Sequence, residues 1–344
     1  MSSDFPAQGT AHAPVASGDW ARAVVLARAF SWCTVAALSV YLINNYLSYW
    51  RRWPGPSSVL DGDFSALGII QLVLYALGLA VAAGYVLTTH DRPLRPDSET
   101  IYGITAYIVR AAFWAVMLMG IADTLVSFLR VEGLLQAIFG DTVAVDLGRP
   151  TFRGVWIHFP MAIAGIVIAA FHRGPGFHWL ALLVVVAEML IVISRFVFSY
   201  EQAFMADLVR FWYAPLFLFA SAYTLLEEGH VRVDVLYSLF SDRAKGISNA
   251  IGSVFLGMSL CWVILIYGMG SRSAIINAPL LSFEVTQTGF GMYVKYWMAG
   301  FLGIFAISML IQFAGYFLHA VADYRGDPGH HDTAPEGPHM IPAG

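Results

Sequence analysis

Eight apolar runs, each near the length that crosses a bilayer as a helix, dominate this 344-residue chain. They cover 24–49, 64–88, 102–128, 155–171, 179–198, 209–226, 247–270 and 294–322. A hydrocarbon core about 30 Å thick takes about 20 apolar residues in a helix. Unpaired backbone groups cannot face lipid, so such runs must close their hydrogen bonds internally. The chain is 58% hydrophobic and 12% charged, with a mean hydropathy of +0.66. A soluble domain is about a quarter charged, so lipid is the solvent for most of this surface. The sequence predicts an all-α, polytopic membrane helical bundle of about eight transmembrane helices. Aromatic residues at the run ends, among them Tyr46, Tyr49 and Trp50, Phe177 and Trp179, and Tyr293, Tyr296 and Trp297, suit the membrane interface.

The polar connections divide the chain. Arg173-Gly174-Pro175-Gly176 is the best boundary. It separates a tail (1–20) and a four-helix module of unknown role (21–176) from a second four-helix module (177–325). A Gly-, Pro- and His-rich tail, 326–344, has the composition of a disordered segment. The first 19 residues lack the basic region and short apolar core of a secretory signal. The segment 131–153 has room for a short surface helix, and Asn277-Ala278-Pro279 is a turn signal. After 232, Val233, Leu236, Tyr237 and Phe240 recur at helical spacing, with Asp234, Ser238, Asp242 and Lys245 between them. That pattern predicts an amphipathic helix over 234–245 lying in the interface. Basic residues divide almost evenly between the two sets of loops, so the positive-inside rule fixes no orientation.

Composition excludes several function classes. A net charge of −4, spread thinly, carries no message about nucleic acid. Cys33 and Cys261 lie inside apolar runs without metal-type spacing and read as small buried hydrophobes. No nucleophile elbow, phosphate-binding glycine loop or zinc-binding His-Glu-x-x-His motif occurs, so no catalytic, metal or cofactor residue is predicted. His158, His172 and His178 gather near one membrane edge. Haem-carrying bundles need facing histidines inside the spans.

Charges inside the spans are the informative residues, because a charged group at membrane depth is costly and is paired or functional. Arg110, Asp123 and Glu188 lie deepest. Arg110 and Asp123 are about 20 Å apart along one helix, so each needs a partner elsewhere: another helix, another subunit, or water. Glu188 and Arg195 are two turns apart and do not pair directly. A proton relay and an interhelical clamp are both open; isolated charges without a dense polar file favour the clamp. Asp207 and Arg210 stand at i, i+3 near a helix start and suit local pairing and capping.

Ordered pieces in the second module carry a resemblance. They are Arg195-Phe196-Val197-Phe198, then Ala206-Asp207-Leu208, then Gly229-His230-Val231-Arg232-Val233-Asp234. Ser282-Phe283-Glu284-Val285-Thr286 and Gly289, Gly291 and Lys295 follow. Over 177–325 the chain resembles the small membrane subunit of tripartite ATP-independent periplasmic (TRAP) transporters. Where that family often has Trp and paired acids, this chain has Phe204, Ala206 and Asp207. Residues 1–176 carry no such likeness. The resemblance implies a non-catalytic subunit that scaffolds a large permease in a bacterial inner membrane, with both termini cytoplasmic. The large permease would carry the substrate and sodium sites, and a periplasmic solute-binding protein would deliver small organic anions. It implies that Arg195, Asp207, Arg210, His230, Arg232, Asp234, Glu284 and Lys295 serve subunit geometry or partner contact, with membrane lipids as the remaining neighbours. The competing expectation is a haem- or quinone-associated anchor of an electron-transfer complex.

Overall fold

The computed structural model describes residues 18–173, 177–200, 202–226, 237, 239–286 and 291–328. Among these it is a helical bundle. The helices are α1 (Gly18–Asn45), α2 (Ser57–Leu60), α3 (Ala66–Thr88), α4 (Leu94–Val131) and α5 (Leu135–Leu147). They continue with α6 (Pro150–Phe171), α7 (Phe177–Val197), α8 (Ala203–Leu226), α9 (Asp242–Met269), α10 (Asn277–Ser282) and α11 (Lys295–Arg325). Seven helices among the described residues are long and apolar enough to cross a membrane. The remaining expected run coincides with α8, 24 residues long, which carries Asp207, Arg210 and Pro215.

Two helices form the centre. α4 packs against α6, α8 and α11, and α11 packs against α1, α4, α8 and α9. The second half of the chain therefore shares its core with the first. Phe113 of α4 meets Phe219 of α8 edge-on at 5.5 Å, and Phe219 meets Phe301 of α11 at 5.4 Å. Val116, Met119, Leu265, Leu310 and Leu318 belong to the same buried core. In lipid, helices associate through close packing more than through a hydrophobic driving force, so small residues mark the tightest seams. A Cβ on Gly165 of α6 would stand 2.4 Å from the Ala115 nitrogen of α4, a separation only glycine permits. α3 rests on α1, and α7 lies mainly against α8, so both turn broad apolar faces outward.

Local signals explain several boundaries. Ser65 caps α3 by accepting from Gly68 N–H. Gly326, at φ 75, ends α11 in the left-handed conformation that glycine adopts without strain. The short helix expected in 131–153 is α5, whose Leu135, Ala144 and Leu147 pack on Val126, Leu129, Phe152 and Ile157. Asn277-Ala278-Pro279 opens α10 instead of making a turn, because Pro279 falls in the first helical turn, where no N–H is needed. Four of the twelve positions of the expected interfacial helix over 234–245, namely 234–236 and 238, lie outside the described residues. Its last four positions open α9 instead, because Ser241 in extended conformation accepts from Ala244 N–H and starts a new helix at Asp242.

Candidate functional site

The polar groups of the bundle collect at its two ends. At the end carrying Gly18 and Arg325, Arg28 of α1 is fully buried and bonds Asp97 of α4 at 2.7 Å. Its other nitrogens donate to Thr89, at 2.5 Å to the carbonyl and 2.8 Å to the hydroxyl. Trp32 also donates to Asp97 at 2.9 Å, and Arg92 stands 3.0 Å from its second oxygen. Beside it Arg95 bridges to Asp323 of α11 at 2.9 Å.

The opposite end holds a denser arrangement centred on Asp123 of α4, which has no exposed side-chain surface. Arg153 donates to it at 2.9 Å and to Ser127 at 3.1 Å, while its Nε reaches the Leu147 carbonyl at 2.6 Å. His158 Nε2 lies 3.1 Å from the same carboxylate, and its Nδ1 lies 2.6 Å from the Tyr296 hydroxyl of α11. The second carboxylate oxygen accepts the Tyr293 backbone N–H at 2.9 Å. A buried carboxylate is tolerable when its lone pairs are filled by donors and an opposite charge, and Asp123 meets both conditions.

Arg153 and His158 are five residues apart. In a straight α-helix that spacing places side chains about 140° apart. The Gly154–His158 stretch is a π turn, whose hydrogen bonds run from i to i+5 and so bring those two positions toward one face. Pro150, first residue of α6, sets the start of that helix. The turn register, set by packing, has no sequence signature, which is why this pairing was not legible.

What the cluster does mechanically is hold the segment that leads into α11. Arg130 donates to the Gly291 carbonyl at 2.7 Å, and Asp207 of α8 accepts Met292 N–H at 3.2 Å. The guanidinium carbons of Arg130 and Arg153 lie 4.5 and 4.3 Å from the Tyr293 ring centroid, within cation–π range. Lys295 pairs with Glu284 at 2.6 Å, both side chains near half-exposed. Four helices, α4, α6, α8 and α11, thus converge on 291–296.

The residues singled out in the sequence fare differently. Asp123, Asp207, Glu284 and Lys295 stand around this segment. Arg210 lies 3.9 Å from Asp207 and is mostly exposed, too far for a strong bond. Arg195 and Glu188 are exposed on α7 and make no hydrogen bond or ion pair among the described residues. Arg110 is half-buried and equally unpaired. His230, Arg232 and Asp234 lie outside the described residues. Sequence reasoning missed Arg153, His158 and the Arg28–Asp97 pair. Arg28 sits inside the first apolar run, and that alone was a usable signal. Both ring nitrogens of His158 have partners, so in this arrangement it has no free nitrogen for an axial bond to haem iron. Among the described residues, no group of three His, Cys, Asp or Glu side chains is placed to hold a metal ion.

Residues 182–323 match the family model of the DctQ component of tripartite ATP-independent periplasmic transporters. No curated protein and no solved structure matches the chain. The matched region is thus similar to the small permease subunit of TRAP transporters, and helices α1 to α6 stand before it. The DctQ component is part of a transporter and not an enzyme family.

Proposed function

We propose that this chain is a non-catalytic scaffold that holds still one part of a sodium-coupled, binding-protein-dependent transporter for small organic anions. Alternating access needs a fixed body against which another part moves. The observation that carries the reading is the Asp123–Arg153–His158–Tyr296 network, which locks the added helices to the matched region through four buried side chains in contact. On this reading 21–176 is a stiffening module, 177–325 is the family module, and 1–20 and 326–344 are tails. A large permease subunit carries the substrate and coupling-ion sites, and a periplasmic solute-binding protein delivers substrate. The protein sits in a bacterial inner membrane with both termini cytoplasmic.

Affinity purification from native membranes tests this. The chain should bring down a large multi-span permease in one-to-one ratio, and liposomes containing this chain alone should show no uptake. Deleting 1–170 should weaken that co-purification without abolishing it. Uptake by the chain alone, or a haem Soret band in the purified protein, would overturn the scaffold.

A further inference from the structure

Asp123 and Arg110 share helix α4, yet only Asp123 has its partners inside the fold. Arg110 makes no hydrogen bond or ion pair among the described residues, and its Nε is buried. One turn on, the indole N–H of Trp114 is likewise buried without an acceptor. Burial removes water as the partner, so each donor carries an uncompensated desolvation cost. Both want oxygen acceptors, and the permanently charged guanidinium wants an anion.

Depth narrows the choice of anion. The Trp114 ring lies edge-on to His172 at 5.4 Å. His172 is the first residue beyond α6, so the Trp114 ring reaches the level at which that helix ends. Arg110 is one turn nearer the end of the bundle that carries Gly18 and Arg325, about 20 Å inside Asp97 along α4, so its long side chain must run toward that surface to meet a headgroup. Arg173, also at this level, is exposed. Beside the donors α6 turns an apolar wall outward, with Ile163, Val167 and Phe171 all exposed. The Tyr107 hydroxyl bonds the Ile166 carbonyl at 3.1 Å and closes the seam between α4 and α6 there.

We propose that Arg110 and Trp114 form a binding site for the phosphodiester of an anionic phospholipid, whose acyl chains lie along Ile163, Val167 and Phe171. A phosphate offers several acceptor oxygens to donors on successive helical turns, and guanidinium geometry matches it. Basic recesses between spans at headgroup depth suit anionic lipids. A carboxylate from another protein would satisfy the charge but leave the adjoining wall without a role. The site lies outside the matched region and does not depend on the scaffold reading.

Native mass spectrometry of the full chain in detergent micelles, titrated with phosphatidylglycerol, tests the site. The wild type should retain one lipid that Arg110→Gln binds about 10-fold more weakly. Trp114→Phe, which keeps the ring and removes the N–H, should weaken binding about 3-fold, and Arg110→Lys should fall between wild type and Arg110→Gln. Phosphatidylglycerol should raise the melting temperature of the wild type and leave that of Arg110→Gln unmoved. Equal retention by wild type and Arg110→Gln overturns the proposal. Displacement of the lipid by millimolar inorganic phosphate also overturns it, because the site would then be one for free anions. Unchanged lipid binding in Arg110→Gln, with loss of a co-purifying permease, overturns it in favour of a protein interface. Should Arg110→Gln fail to fold, Trp114→Phe carries the same comparison.

Discussion

Helix α4 carries two very different charges. Asp123 is enclosed by Arg153, His158, Ser127 and the Tyr293 N–H. Arg110, thirteen residues earlier, has none of these. Both were equally conspicuous in the sequence, since a charge within a span demands a partner whatever its sign. The difference shows that such a charge either completes the fold or is left over for something outside it. The surroundings separate the cases: Asp123 is fully buried among partners from α6 and the segment leading into α11, whereas Arg110 is half-buried with none among the described residues.

The largest test of that contrast removes each charge in turn. Asp123→Ala leaves Arg153 buried and uncompensated, and should cost about 3–5 kcal/mol, the usual penalty for breaking a buried pair from one side. Thermal unfolding in detergent would register this as a collapse of folded yield. Arg110→Gln should shift the same unfolding by less than about 0.5 kcal/mol. Equal losses at the two positions would erase the distinction between them.

A smaller effect is expected at Arg232 and Asp234. If they act as one unit, Arg232→Ala and Asp234→Ala should each lower complex yield, and the double change should cost less than their sum. The coupling should be about 0.5–3 kcal/mol, as for residues in contact. Strict additivity in a stability assay of the assembled complex would place them at separate contacts. The smallest effect belongs to Lys295. Its pair with Glu284 is near half-exposed, and water screens it, so Lys295→Ala should cost no more than about 0.5 kcal/mol. A loss as large as that of Asp123→Ala would show that this pair also belongs to the enclosed network.

The spans were legible because about 20 apolar residues in lipid have one backbone solution. Asp123 was legible as a residue needing a partner, but its partners were not. Arg153 belongs by sequence to a polar connection, and only the π turn at Gly154–His158 brings it and His158 toward one face. Arg28 lay in plain view inside the first run, and what hid its role was that Asp97 sits ahead of the third apolar run, in the part of α4 that Pro93 and Leu94 begin. The Ser241 cap was similarly missed, because an amphipathic pattern running across it looked continuous. Packing between distant segments decided the first two, and local pattern carries no record of it.

The central place of α11 has a consequence for how the protein is made. Ser31 hydrogen-bonds the Ala314 carbonyl 283 residues away, and Ser98 bonds the Gly315 carbonyl. α1, α4, α8 and α9 all leave the ribosome before the helix they close upon. Until Tyr293 and Tyr296 arrive, His158 and part of Asp123 wait in the bilayer with unfilled bonds. The nascent chain is therefore most vulnerable to membrane proteases just before its final span is inserted, and synthesis that stalls before residue 295 yields a fragment fit for degradation, not a smaller working scaffold.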